Sequence, residues 1–466
     1  MTQSVSRRSL LMLVAGLASV PVLAACGAAA TPTPAPKAPE KPAEKPAAAA
    51  TKPAEKPAAA PAGQPYSARR GQKISHLREN SFIADNDEYL KTKLLPAYEQ
   101  ETGNKLEIEW ISVNDQNPKI LSAIEAKAGP DLIDWGGALP HTFGHAFVDV
   151  SEIAKKREAE AGPWYPTAVE SARVEGVWRG IPYRMVPNAM THREDWFKEN
   201  GIEKFPDTWQ DLLVAGEKLK KAGKPGGLAL GPATGDANSA AYSILWAFGG
   251  KEVEPDGKTV AISSKETRAA VEFYKELFNK AMTPDVLSWG DPHNNRAYLA
   301  GQISWTQNGA SIYYVAKKEQ PEIAKNTNNA PAPKGPAGAF TLTGPGVLDT
   351  LSYSKVRDET MQFVDWVTDL KQSWDWIQVG DGYFVGVLKK FEDSPMWGKD
   401  PKMLEFKRVA PTAHTEGFPA KPSKASGEAI LKFIIKDMFA KAISGESTDS
   451  AVTWAEGQLK EIYAKN

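Results

Sequence analysis

One cysteine and six histidines in 466 residues remove several classes of protein at the outset. With a single thiol no intramolecular disulfide can form, so the fold must be held by the size of its core alone. Among the histidines, His141 and His145 have H-x-x-x-H spacing. They lack the glutamate of H-E-x-x-H and sit between Pro140 and Gly144, so no metal site is expected from them. A formal net charge of -1 and the absence of any dense Lys/Arg stripe give no field for nucleic acid. No G-x-S-x-G nucleophile elbow occurs, and neither a G-x-G-x-x-G nor a Walker loop follows a strand, so serine hydrolase and nucleotide chemistry lack their loops. Asp85-Asn86-Asp87-Glu88 is acidic but has neither the spaced ligands nor the central glycine of a calcium loop. It reads instead as negative charge at a helix start. Past the first 25 residues, no stretch approaches the roughly 18 uninterrupted apolar residues that a membrane span needs.

What is present begins with Cys26. Arg7 and Arg8 precede an apolar stretch from Leu10 to Leu23, and Leu23-Ala24-Ala25-Cys26-Gly27 resembles the lipobox of bacterial lipoproteins, in which the cysteine becomes the lipidated first residue. Residues 1–25 are therefore expected to be an export signal, with Cys26 the lipid anchor on the outer face of a cell membrane. Ser6-Arg7-Arg8-Ser9-Leu10-Leu11 resembles a twin-arginine signal, although two arginines also open ordinary Sec signals. The stretch to about Ala62 is almost entirely Ala, Pro, Lys, Glu and Thr, with KPAEKP twice. It cannot bury enough apolar surface to fold and reads as an extended tether spanning on the order of 100 Å. The tether, anchor included, is assigned to 26–70.

The remaining chain is too long for one compact core and suits two lobes of roughly 150 to 200 residues. Its apolar share of 42% beside 24% charged residues is that of a soluble globular protein, and tryptophan stands out, at 14 residues. Strands are expected at Lys73–Leu77, Lys105–Ile111 and Asp131–Trp135, with helices at Asp87–Glu101 and Pro118–Ala128 between them, an alternation that implies parallel βαβ units. Further on, a strand is read at Ala189–Thr191 and helices at Asp207–Ala222, with Asp207 as cap, at Ser239–Phe248 and at Lys265–Lys280. Gly301 ends a helix before the strand Gln302–Thr306. Amphipathic helices follow at Lys355–Trp366 and Ala429–Ala442. No solenoid or propeller period occurs.

Several segments then carry a family resemblance in order. Leu95-Pro96-Ala97-Tyr98-Glu99-Gln100-Glu101-Thr102-Gly103 leads to a strand, and Gly129-Pro130-Asp131-Leu132-Ile133-Asp134-Trp135 follows. Gly180-Ile181-Pro182-Tyr183 leads to Asn188-Ala189-Met190-Thr191-His192, where a tyrosine-asparagine pair is more usual than Thr191-His192. Pro206-Asp207-Thr208-Trp209, Trp246-Ala247-Phe248-Gly249-Gly250 and Tyr298-Leu299-Ala300-Gly301-Gln302-Ile303-Ser304 complete the series. Together they resemble the carbohydrate-type extracellular solute-binding proteins of ABC importers, in their lipoprotein form.

That resemblance implies an α/β, two-lobed periplasmic-binding-protein-like fold of type II, each lobe a mainly parallel sheet flanked by helices, with a hinge between. Lobe 1 takes 71–185 and lobe 2 takes 186–300. The chain returns to lobe 1 over 301–350, and 351–466 is mainly helical, chiefly lobe 2 with hinge-side packing. It further implies a non-enzymatic monomer that closes on a sugar or oligosaccharide and presents it to membrane permease subunits, without cofactor or metal.

A sugar needs aromatic platforms for its C–H faces and fixed polar partners for its hydroxyls. Trp135, at the end of a strand and followed by Gly136-Gly137, is the leading platform. Glu79, Asn80 and Ser81 follow the first strand, where an open sheet places its cleft. Arg184 can clamp hydroxyls or pair with an acid. In the second lobe Asn238 and Tyr242 lie near a helix start that Asp236 or Asn238 can cap. Trp289 and Asp291 belong to a polar, aromatic loop, Asn308 closes a strand, and Tyr383 sits in the turn Gly380-Asp381-Gly382. Trp374 and Trp376 read as packing residues. Two alternatives stay open: a secreted lipoprotein glycoside hydrolase, which needs only two suitably spaced carboxylates, and the same binding fold for a polyamine or a phosphate ester.

Overall fold

The computed structural model describes residues 66–137 and 139–466. The expected export signal, its expected anchor Cys26 and most of the expected tether lie outside the described residues. The folded body starts slightly before residue 71, because Tyr66 donates to Asp365 at 2.8 Å and Arg69 is paired with Glu359 at 2.8 Å.

Among the described residues ten strands form three sheets: β1 (Lys73–Glu79), β2 (Lys105–Ile111), β3 (Leu132–Gly136), β4 (Arg173–Val174), β5 (Val177–Trp178), β6 (Ile181–Met185), β7 (Ala189–Arg193), β8 (Trp305–Asn308), β9 (Thr327–Ala330) and β10 (Pro345–Thr350). The first sheet runs β2-β1-β3-β10-β6, the second β8-β7-β9, and β4-β5 is a small ribbon. Helices cross from β1 to β2 and from β2 to β3, so β1 pairs with both in parallel. The expectation of a mainly parallel sheet in each lobe fails beyond that point. β10 is antiparallel to β3 and β6, and β7 is antiparallel to β8 and β9. The reason is the crossing between lobes. β10 enters the first sheet from the cleft, where β3 ends, so it must run the opposite way. Likewise β7 leaves the cleft while β8 returns to it.

The same pairing moves two expected boundaries. β8 and β9 stay with the second sheet, so the return to the first lobe comes at Pro345 rather than at residue 301. The C-terminal part divides: Phe363, Trp376, Phe384 and Phe406 join the first lobe's core, whereas Ala429, Phe439 and Leu459 join the second. The two sheets thus have largely separate apolar sets, at about 1.5–3 kcal/mol per large side chain, joined where Ala310, Tyr313 and Tyr314, from the segment after β8, pack into the first lobe's core.

Local chemistry explains the elements that frame the cleft. The helix Trp209–Lys221 is capped by Thr208, whose side chain accepts from the Asp211 N–H, while the expected cap Asp207 is paired with Lys204. The helix Lys265–Ala281 starts at Ser264, which accepts from Thr267 N–H, and buries Ala270, Val271, Tyr274 and Leu277 on one stripe. The helix expected over 429–442 is two helices, Lys424–Leu431 and Ile434–Ile443, broken where Phe433 takes φ 57°. Trp376 is buried and Trp374 stacks on Phe391 at 5.4 Å, both as packing residues. The lobes are linked by the short segment Val186–Asn188 and by two longer ones that pair with each other. There Thr343 N–H donates to the His414 carbonyl at 3.0 Å and His414 N–H to that of Thr341 at 2.9 Å.

Candidate functional site

Between the two sheets lies a cavity of about 260 Å³. At roughly 10–15 Å³ per water-sized centre it has room for on the order of 20 non-hydrogen atoms, the scale of a mono- or disaccharide. The first lobe lines it with Glu79, Phe82, Trp135, Gly136 and Gly137; the connections add Asn188 and Leu342–Gly344; the second lobe adds Asp236, Asn238, Ser239, Asp291, Asn308 and Ile430. Tyr383 and Glu416, from the late part of the chain, also reach it. These residues sit where β1 and β3 end and where β7 starts, the edge at which open α/β sheets place their ligands. Gly137 turns there with φ 81°, a backbone state that an L side chain resists.

Beneath the first lobe's wall runs a buried polar network. Tyr183 donates to Asp134 Oδ2 at 2.6 Å and accepts from Arg78 at 2.7 Å and from Arg184 Nε at 2.9 Å. Arg184 Nη2 then reaches Asp134 Oδ1 at 3.1 Å and Glu79 Oε1 at 2.7 Å. Burial pushes Asp134 upward, but Arg184 and Arg78 outweigh it and hold the carboxyl below its ordinary range. Glu79 goes the other way: burial outweighs the pull of Arg184 and raises it. In the middle of the same sheet Asp349 is fully buried, and burial followed by the charge of Asp134 holds it well above the carboxylate range.

The second lobe presents the N-terminus of the helix Asp236–Ala247. Neither Asp236 nor Asn238 caps it. Asp291, distant in sequence, accepts from Thr234 N–H at 2.9 Å, Gly235 N–H at 3.0 Å and Asp236 N–H at 2.8 Å, filling the anion position that a helix start creates. Beside it Asp236 accepts from Asn294 Nδ2 at 2.6 Å. Burial first and then the charge of Asp291 push Asp236 well above its usual range. Burial raises Asp291 as well, against the pull of the three N–H groups it accepts from, and two buried acids so placed cannot both ionise cheaply.

Of the residues expected from sequence, Glu79, Trp135, Gly136, Asn238, Asp291, Asn308 and Tyr383 come together around this cavity. The others do not line it. Asn80 is exposed past β1, its N–H donating to the Ile111 carbonyl at 2.9 Å. Ser81 is taken up in a turn, its N–H on Asp87 at 2.9 Å and its hydroxyl accepting from Ile83 at 3.0 Å. Arg184 pairs with acids and stands behind Glu79. Tyr242 is fully buried and donates to Glu252, and Trp289 lies in the second lobe's core against Gly227. Spacing placed these near the cleft but not their side-chain directions. Sequence reading missed Phe82, Thr343 and Glu416 as lining residues. Position just beyond β1 was an available signal for Phe82, whereas Thr343 and Glu416 arrive only through the pairing of the two late connections.

The lobes touch at one mouth of the cavity. The helix Lys424–Leu431 meets the helix Leu139–Phe143 so closely that a Cβ on Gly427 would sit 2.4 Å from Thr142 Oγ1. The cleft is closed at that edge.

Comparison with known proteins places this architecture. The family model described as bacterial extracellular solute-binding protein matches residues 83–373. A probable ABC transporter-binding protein of Deinococcus radiodurans is 24% identical over 290 residues, covering 59% of this chain and 68% of its own. The putative ABC transporter periplasmic-binding protein YcjN of Escherichia coli is 22% identical over 344 residues, covering 70% of this chain and 76% of its own. Among solved structures, maltose-bound MalE3 of T. maritima has a TM-score of 0.72 at 20% identity, covering 84% of this chain and 99% of its own. A solute-binding protein of Thermotoga lettingae with α-D-tagatose has a TM-score of 0.73 at 17% identity, covering 84% and 100%.

Proposed function

Since the chain belongs to the bacterial extracellular solute-binding protein family, we propose that it captures a sugar or polyol between its lobes and delivers it to the permease of an ABC importer. The carrying observation is the cavity itself: aromatic side chains Trp135 and Tyr383 beside hydrogen-bonding groups from both lobes and both long connections. This is the wall that a molecule with C–H faces and a hydroxyl rim requires. Relatives and structural neighbours named for ABC transport and for maltose and tagatose support the same reading.

The parts have distinct work. Trp135 offers a face for stacking. Glu79, held by Arg184, and Asp291, held by three backbone N–H groups, are acceptors whose positions are fixed before ligand arrives, which reduces the ordering cost of binding. Ligand bridging both lobes favours the closed arrangement, in which Gly427 meets Thr142, over an open one. The closed pair of lobes is the form the permease receives. The protein works as a monomer that binds and releases its solute unchanged. Cys26 tethers the body to the outer membrane face, and two acyl chains there would hold firmly where one binds only marginally.

The test is a thermal-shift scan across mono-, disaccharides and polyols. A true ligand at 100 times its dissociation constant adds about 2.7 kcal/mol. If no sugar or polyol moves the melting temperature, the proposal fails. Steady release of product from a glycoside by purified protein would replace it with hydrolysis.

A further inference from the structure

The cavity is charged on one side only. Four acids line it, Glu79, Asp236, Asp291 and Glu416, and among the described lining residues there is no lysine, arginine or histidine. The nearest arginines are already engaged behind the wall, Arg184 on Glu79 and Asp134, Arg78 on Asp134 and Tyr183. One buried acceptor of the lining has unused capacity. Asn238 is 2% exposed, lines the cavity, and its Oδ1 has no hydrogen-bond partner. Asp236 takes a hydrogen bond from Asn294 through its side chain, and its own N–H donates to Asp291.

Resting on the sugar-binding reading above, we propose that the solute carries a protonated amine on its hydroxylated frame, an amino sugar, with the ammonium seated at Asp236 beside Asp291. Neutral hydroxyls can donate to the same acceptors, but they leave one of the two acids protonated. A cation lets both carboxyls ionise and gains charge-assisted hydrogen bonds roughly twice as strong as neutral ones. Trp135 and Tyr383 suit the ligand's apolar face and add cation–π attraction for an ammonium near a ring. An anionic sugar or a phosphate ester would meet only like charge.

Titration calorimetry on the full body decides this with matched pairs: glucosamine and glucose, galactosamine and galactose, mannosamine and mannose, chitosan dimer and cellobiose, with glucuronate and spermidine alongside. At least one amine member should bind tenfold or more tighter than its hydroxyl partner, and Asp236→Asn should bring that ratio close to one. A hydroxyl member binding as tightly as its amine partner, or a preference unchanged in Asp236→Asn, overturns the inference and leaves the sugar reading standing. Binding of spermidine with no sugar overturns both, and no binding by any member overturns the inference.

Discussion

Replacing Arg184 by methionine tests whether the cleft's first wall is prearranged by a buried cation. The side chain is 5% exposed and joins Asp134, 0% exposed, to Glu79, 21% exposed. Methionine keeps the length and apolar stem but leaves Asp134 with Arg78 and the Tyr183 hydroxyl, and Glu79 without its ion pair. Removing one partner of a buried pair costs about 3–5 kcal/mol, because the remaining charge stays desolvated. For a unit of 150–250 residues that is roughly 2–4 °C per kcal/mol, so the first lobe's transition should drop by about 6–20 °C. The pH dependence follows from the two acids. Asp134 lies below its ordinary value when folded, so its contribution is present at neutral pH and is lost as pH falls through its folded value. Glu79 is raised, which already weakens the fold at neutral pH, and losing Arg184 raises it further. Acid protonates Glu79 first, whereas Asp134 keeps its charge in wild type until pH falls below the ordinary carboxylate range. The gap between wild type and Arg184→Met, measured by urea unfolding, should therefore be largest near pH 7 and narrow as pH falls, first as Glu79 takes its proton and further below the ordinary carboxylate range. A loss under 1 kcal/mol at pH 7, or a gap that widens in acid, would refute the reasoning and return Arg184 to the role of a free ligand clamp.

Two further substitutions separate core from cleft. Trp135 is 7% exposed and packs with Leu77, Ile120, Leu139 and Phe147 while lining the cavity. Trp135→Ala should abolish sugar binding and also lower stability by about 3–5 kcal/mol, whereas Trp135→Phe should recover most of the stability and part of the affinity; equal affinity in wild type and alanine variant would remove Trp135 from the ligand. Gly427→Leu places a side chain where the lobes meet at Thr142, so small-angle scattering should show a wider molecule and calorimetry a weaker ligand, with little change in unliganded melting temperature. A scattering curve identical to wild type would show that the contact does not limit closure.

Much of the first lobe was legible because its signals are local. β1, β2 and β3 announce themselves through period-two burial or a short apolar run, and their ends locate Glu79, Trp135 and Gly136. The second wall was less so. Asp291 was singled out from its loop, yet its task, capping a helix 55 residues earlier, has no trace in local sequence. Tyr242 and Trp289 have the composition of ligand contacts and are core, because side-chain direction depends on packing rather than spacing. The stretch that forms β10 fell within the expected return to the first lobe over 301–350, but neither the strand nor its antiparallel direction was read, since that direction is set by which lobe the chain arrives from.

The treatment of charge around the cleft decides between ligand classes more sharply than shape does. Two features that elsewhere attract anions are present, a pair of arginines and an exposed helix start, and both are consumed internally. Arg78 and Arg184 are held by Asp134, Tyr183 and Glu79. The start of the helix Asp236–Ala247, a ready anion site in any fold, is filled by Asp291 through three N–H bonds. A phosphate ester would have to displace that carboxylate into a wall already carrying Glu79, Asp236 and Glu416, leaving a buried acid without donors, a cost of about 1–3 kcal/mol or more for a charged group. A hydroxyl rim or an ammonium group asks for no displacement: the acceptors stand in place, and such a ligand brings donors, including one for Asn238 Oδ1, which has no partner.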